Sequence, residues 1–149
     1  MPKTCPECGG NISLAPNERI ERYKGLALHI PSVRVPTCER CNEQFISPQV
    51  AEQMQRALEL EYQEALFREF SQALEQLKDV DSVEAIGRML GYSQGYLSKL
   101  SRRERNLTTP TVMLMKLLAR DPEQRLRELS DFQASATTST SSQDNPVSA

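Results

Sequence analysis

All four cysteines of this chain fall into two Cys-x-x-Cys pairs, Cys5-Pro6-Glu7-Cys8 and Cys38-Glu39-Arg40-Cys41, with 29 residues between them. Two thiolates separated by two residues can wrap one metal ion on a tight knuckle, and two such pairs complete a tetrahedral four-sulfur set. Gly9-Gly10 follows the first pair, and Asn42 holds the matching place after the second. Glycine, and after it asparagine, are the residues that tolerate the left-handed backbone such a knuckle needs. The spacing predicts one structural Zn2+ held by Cys5, Cys8, Cys38 and Cys41, because four thiolates close the coordination sphere and leave no position for water. A redox Cys-x-x-Cys would come once and beside a β-α-β pattern, and a disulfide framework would imply a secreted chain. Met1-Pro2-Lys3-Thr4 leads straight into the first pair without an apolar signal segment, which makes a cytoplasmic protein the expectation.

A front module of some 45 residues buries too little apolar surface to fold alone, so the metal is expected to supply on the order of 10 kcal/mol. Between the pairs, Ile20–Lys24 and Leu26–Ile30 flank Gly25 and predict a short β-hairpin, with Val33-Arg34-Val35 as more strand. His29 lies in this strand pattern and reads as a surface or half-buried residue, not a ligand.

Ser47-Pro48 then reads as an N-cap followed by proline at the first helical position. Val50, Met54, Leu58, Ala65, Leu66, Phe70, Ala73, Leu74 and Leu77 recur mainly at spacings of three, four and seven, which predicts a long amphipathic helix. Its apolar stripe needs a partner, either the helices that follow or a second copy of the chain.

Asp81-Ser82-Val83-Glu84 predicts a capping box opening a helix that ends near Leu90-Gly91, and Ser93 is the expected N-cap of a second helix beginning at Gln94. Two short helices that cross steeply need a small residue at the crossing, a turn glycine and apolar inner faces. Gly87, Gly91 and the set Ile86, Leu90, Tyr92, Leu97 and Leu100 fill these roles. With Leu97 and Leu100 inward, Gly95, Lys99 and Arg102 turn outward, flanked by Gln94, Tyr96, Ser98 and Arg103. Such a face suits the major groove of double-stranded DNA: Gln94 and Ser98 toward base edges, Lys99 and Arg102 toward guanine or phosphate, Tyr96 and Arg103 toward the backbone. Thr109-Pro110 and Asp121-Pro122 open two further helices. From Gln133 onward Ser, Thr, Gln, Asn and Asp dominate, and this composition predicts disorder.

Charge supports this division. The chain of 149 residues has a formal charge of only -2, but residues 85–127 carry nine Lys/Arg against three Asp/Glu while residues 49–84 carry three against nine. The cationic segment coincides with the helix-turn-helix, so a whole-chain pI near 5.5 does not argue against a nucleic-acid partner. The fold class expected is α+β: a small zinc-bound β-hairpin domain (1–48), a helical linker and dimer contact (49–65), an all-α helix-turn-helix domain (66–130) and a disordered tail (131–149). No stretch is apolar enough for a bilayer, so no membrane partner is expected.

The chain resembles the MqsA-type antitoxin family, which joins a YgiT-type zinc finger to a Xre-like helix-turn-helix. Over residues 3–48 the resemblance rests on Cys-Pro-x-Cys-Gly, Tyr23-Lys24-Gly25 and Val35-Pro36-Thr37-Cys38-Glu39-Arg40-Cys41; over 81–121 it rests on Leu97-Ser98-Lys99-Leu100 and Glu104-Arg105-Asn106-Leu107-Thr108-Thr109-Pro110. It implies a homodimeric repressor that binds palindromic operator DNA, autoregulates its operon and holds a cognate ribonuclease toxin through the zinc domain, with Lys99 in the place of a base-reading residue. Gly95 stands where that family can carry a polar base-contacting side chain. The alternative is a stand-alone regulator of transcription without a toxin. A zinc or redox enzyme is not expected: the chain has one histidine, no His/Glu constellation and no glycine-rich phosphate loop. Direct nucleic-acid binding by the cysteine module is disfavoured by its near-neutral charge.

Overall fold

The computed structural model describes residues 3–142 and has the α+β architecture, two strands followed by five helices: β1 (Ile12–Tyr23), β2 (Leu26–Cys38), α1 (Pro48–Lys78), α2 (Val83–Met89), α3 (Tyr96–Ser101), α4 (Thr109–Ala119) and α5 (Pro122–Ser142). The chain divides between Ala65 and Leu66 into two compact units. Among the described residues no helix is long and apolar enough to cross a membrane.

In the first unit, β1 and β2 form one antiparallel hairpin with register from Tyr23↔Leu26 at the turn to Ile12↔Cys38 at the base, interrupted by a bulge between Asn17 and Arg19. The strands are longer than the short hairpin the sequence predicted; Ser13, Ala15, Pro16 and Asn17 carry no apolar alternation, and they are in strand because their partners on β2 are. Lys24 and Gly25 form the two-residue turn with φ of 46° and 87°. Positive φ at both central positions gives the twist that a tight hairpin requires. Glycine accepts it without cost; Lys24 is held there by contacts. Its ammonium lies 5.0 Å from the centroids of both Tyr23 and Tyr62 and 3.3 Å from Glu59 Oε2. Tyr23 packs edge-on against Tyr62 at 5.4 Å and donates its hydroxyl to Glu59 Oε2 at 2.5 Å. Residues 49–65, expected as a linker, therefore fasten the tip of the hairpin, and Leu58 and Tyr62 are buried, as are Leu28, Ile30 and Val35 of the strands. Helix α1 opens as its sequence dictates, with Val50 N–H donating to Ser47 Oγ at 3.2 Å.

The second unit is all-helical. Leu66, Phe70, Ala73, Leu74 and Leu77 on α1 are at most 3% exposed, and Ile86, Leu97, Leu100, Leu107, Val112, Met115, Leu118 and Leu126 of the later segments are at most 5% exposed. The chain itself covers this part of the α1 stripe, at about 1.5–3 kcal/mol for each large apolar side chain removed from water. Lys116 of α4 pairs with Glu69 of α1 at 2.8 Å. Gln133 of α5 donates to the carbonyl of Met89 at 2.6 Å, satisfying one of the last carbonyls of α2.

Several helix boundaries differ from expectation. The N-cap of α2 is Ser82, whose Oγ accepts from Ala85 N–H at 3.2 Å, while Asp81 accepts from Ser82 N–H at 2.8 Å; Ala85 then stands at the third helical position with no acceptor to return, so a one-sided serine cap replaces the expected capping box. Helix α4 is capped at Thr108, with Thr109 already helical and Pro110 in the first turn. Helix α5 continues to Ser142, through part of the tail expected to be disordered. Between Pro122 and Ser142 there is no glycine or further proline, so a helix nucleated around Leu126 propagates through Ala, Ser and Thr at a modest cost per residue. The remainder of that tail, residues 143–149, lies outside the described residues.

Candidate metal centre and candidate nucleic-acid interface

The two cysteine knuckles are built alike. Gly9 N–H donates to Cys5 C=O at 2.9 Å and Asn42 N–H to Cys38 C=O at 3.0 Å; Cys5 N–H donates to Gly10 C=O at 2.8 Å and Cys38 N–H to Glu43 C=O at 2.9 Å. The left-handed positions are the two expected ones, Gly9 at φ 71° and Asn42 at φ 61°. Each knuckle is closed by an antiparallel bridge at equivalent places, Thr4↔Asn11 and Thr37↔Gln44. The base of the hairpin brings the knuckles together, since Cys38 is the last residue of β2 and pairs with Ile12 at the start of β1.

None of the four cysteines is in a disulfide, and their Sγ atoms all lie within 4.8 Å of one another. Cys5 and Cys41 are 3.7 Å apart, and Cys8 and Cys38 are 3.4 Å apart. Four sulfurs at about 2.3 Å from one metal ion stand at tetrahedral corners about 3.8 Å apart, so these residues fit a single four-coordinate ion. Arg40 N–H donates to Cys38 Sγ at 3.4 Å, and Arg40 Nη1 reaches across to Cys8 C=O at 3.1 Å. Amide N–H groups, that of Cys41 above all, hold the Cys38 thiol down to about 6, the thiolate form a metal needs. Cys41 is pushed up to about 12: the Glu43 amide lowers it, but burial and the neighbouring Cys8, Cys38 and Cys5 outweigh that. One thiol of an adjacent set ionises readily and its charge holds the next proton on, so filling the centre releases protons.

Gly10 has a role the sequence did not reveal. A Cβ there would stand 2.7 Å from Arg40 Cβ, 2.9 Å from Cys38 Sγ and 3.3 Å from Cys8 Sγ. The second glycine is thus required by close approach to the opposite knuckle, whereas the first is required by its φ. His29 is exposed, 4.0 Å from Glu18, and does not belong to the cluster.

In the second unit α2 and α3 meet where expected. Gly87 is buried, and a Cβ on it would touch Leu97 Cδ1 at 3.7 Å; Gly91 makes the turn at φ 77°. Ile86, Leu97 and Leu100 are fully buried, while Leu90 and Tyr92 are half-buried. The start of α3 corrects the sequence reading. Tyr96 N–H donates to Ser93 C=O at 3.1 Å and Gly95 has φ 78° and ψ 0°, so Ser93–Tyr96 is a tight turn with glycine at its third position. Ser93 acts through its carbonyl, not as a side-chain cap, and Gln94 and Gly95 precede the helix. Glycine costs a helix interior about 1 kcal/mol relative to alanine and costs this turn nothing.

Tyr96, Ser98 and Lys99 lie on α3, with Lys99 exposed and the Tyr96 ring against that of Tyr92, tilted by 52° with centroids 4.9 Å apart. Gln94, Gly95, Tyr96 and Ser98 line a cleft of about 240 Å³ together with Arg88 of α2, a cation the sequence reading passed over because α2 was read for packing alone. The helix closes on a Schellman motif: Arg103 N–H donates to Leu100 C=O at 3.2 Å and Glu104 N–H to Lys99 C=O at 2.9 Å, with Arg103 left-handed at φ 61°. This fold-back sends the next two cations to different places. Arg103 lays its guanidinium over the Phe67 ring at 3.9 Å, and Arg102 is engaged by Glu104 through Nε at 3.0 Å and Nη2 at 3.3 Å. Of the seven residues expected at the duplex, the turn and helix bring five together, and the cap turns Arg102 and Arg103 to protein partners.

The molecule is thus an α+β protein with a cluster of four cysteines suited to one metal ion in one unit and a helix-turn-helix arrangement in the other. Family models and curated proteins contain no match to this chain.

Proposed function

We propose that this protein is a DNA-binding transcriptional repressor whose four-cysteine centre holds one structural zinc ion, and that it is the antitoxin of a type II toxin–antitoxin system. As a homodimer it autoregulates its operon, and it binds its toxin through the zinc unit. The observation that carries the DNA-binding part is the Gly87–Leu97 crossing, which buries one side of α3 and leaves Lys99 exposed on the other. The positive charge concentrated over residues 85–127 gives that face its phosphate affinity. For zinc, the all-thiolate donor set and tetrahedral spacing favour a soft, closed site over any site built for catalysis. Support for a protein partner comes from the first unit's surface, where Leu14, Pro36, Phe45, Ile46 and Val50 line an open groove whose one charged residue is Arg34. Leu14 and Ile46 are each about half exposed.

The test uses the purified full-length protein. It is expected to contain one zinc per chain by elemental analysis, to bind a duplex from upstream of its own gene, and to retain the product of the neighbouring gene on co-expression. Lys99→Ala is expected to weaken duplex binding about tenfold with the helical signal unchanged. A protein that binds the duplex but retains no neighbouring product is the stand-alone regulator; one that ignores every duplex is no repressor.

A further inference from the structure

The end of α3 carries a device that the DNA-binding reading does not include, and the inference rests on that reading. An arginine fork recognises guanine O6/N7 or a phosphate by two parallel N–H bonds to two acceptors. Arg102 already makes such a pair with both carboxylate oxygens of Glu104, at 3.0 and 3.3 Å. The pair is local and held in place: Arg102 is the C-cap of α3, and Glu104 is fixed two residues on because its own N–H closes the helix onto Lys99 C=O at 2.9 Å. The intervening left-handed Arg103, anchored over Phe67, turns the chain back so that the carboxylate meets the fork. Both side chains stay about half exposed, so solvent and a polyanion can reach the pair. Glu104 is drawn below the usual carboxylate range by Arg102 first, and by Lys99 and Arg105 as well, so it is ionised wherever the protein would meet DNA.

We propose that Glu104 is a built-in competitor for DNA at the C-terminal end of the recognition helix: its carboxylate occupies the Arg102 fork, and Arg102 engages a duplex only by exchanging Glu104 for DNA acceptors. The exchange leaves Glu104 unpaired beside the phosphates, which lowers affinity for any duplex. A sequence that offers the fork a well-placed bidentate acceptor recovers more of this loss than one that offers a single phosphate oxygen. Glu104 thereby suppresses non-specific binding more than specific binding.

The experiment compares zinc-loaded full-length wild type, Glu104→Gln, Arg102→Ala and the double variant on the upstream duplex and on a scrambled duplex of equal length, across a range of salt concentrations. Glu104→Gln keeps the backbone bond to Lys99 and nearly the same shape. It is expected to bind the scrambled duplex about threefold tighter, with a smaller gain on the upstream duplex, as removal of an exposed competing ion pair allows. Its log-affinity against log-salt slope should steepen by about one, for one more phosphate neutralised. In the Arg102→Ala background the same substitution should give no more than a slight gain. Glu104→Ala, with thermal melting as a check on folding, should reproduce the result. Affinity and slope equal to wild type, or an equal gain with and without Arg102, would overturn the competitor role while leaving DNA binding standing. Absence of binding by the wild type to either duplex overturns the DNA-binding reading itself, and this inference with it.

Discussion

Gly10 shows what one hydrogen atom in place of a methyl group does for the metal centre. The backbone of the first knuckle passes so close to the second that a Cβ would enter the space of Cys38 Sγ at 2.9 Å and of Arg40 Cβ at 2.7 Å. Both neighbours are fixed by the knuckle, so neither can retreat without opening the sulfur cage. Gly10→Ala is expected to cost about 1–3 kcal/mol by overpacking and to lower metal affinity at least tenfold, measured by competition with a chromophoric chelator. Gly9→Ala is strained for a different reason, its left-handed φ, with open space around the added methyl group. Asn42, in the equivalent place at φ 61°, is the residue type that bears this conformation best after glycine. The two neighbouring glycines look interchangeable in the sequence, and only distances across the centre separate them.

At the level of elements, the tip of the β1–β2 hairpin and the first half of α1 are joined by an ionic and aromatic clasp through Glu59 and Tyr62. Tyr23, by its hydrogen bond, and Lys24 hold Glu59 below the usual carboxylate range; burial works to lower Lys24, and its bonds to Glu59 and Tyr23 outweigh that and raise it. A carboxylate whose folded pKa is depressed stabilises the fold above its unfolded value, near 4.3, and that contribution disappears as pH falls through the folded value. A raised lysine contributes fully below its unfolded value, near 10.4, and is lost as pH rises through the folded one. The clasp is therefore intact across neutral pH and opens at both extremes. Acidification below about pH 4 is expected to release the Tyr23 and Tyr62 ring signals in NMR spectra toward their free positions. In Glu59→Gln those signals should no longer shift over that acid range. An unaltered acid transition in the variant would assign it to another group. None of this was legible beforehand: Tyr23 and Glu59 are 36 residues apart, and a glutamate on a helix reads as solvated until the strand that meets it is known.

For the whole molecule the expectation is unequal dependence on metal. The first unit has a two-stranded sheet and few large interior side chains, and two strands alone are marginal in water. The second unit holds most of the fully buried side chains, from Leu66 and Phe70 through Met115. Chelation of the full-length protein is expected to collapse the first unit, seen as rapid proteolysis within residues 3–47, while most of the helical circular dichroism persists because α2 to α5 lie wholly beyond Leu66. Loss of the helical signal in step with the metal would show that the two units fold as one.

The division of what sequence and tertiary structure each decide follows from the range of the forces involved. Cysteine spacing, Gly9, Asn42, the Ser47-Pro48 cap, the apolar spacing of α1 and the small residues at Gly87 and Gly91 are local rules, obeyed within one or two turns of chain, so the metal centre and helix-turn-helix could be read from residues in order. The true start of α3 was misread because Ser93 satisfies a cap rule and a turn rule equally well, and Gly95 decides between them only through its φ. The clasp on Glu59, the clearance at Gly10, Arg103 over Phe67 and the Arg102–Glu104 fork depend on which side chains meet once the chain has folded. Those contacts are set by packing in three dimensions, and a linear pattern of residue types carries no distance between them.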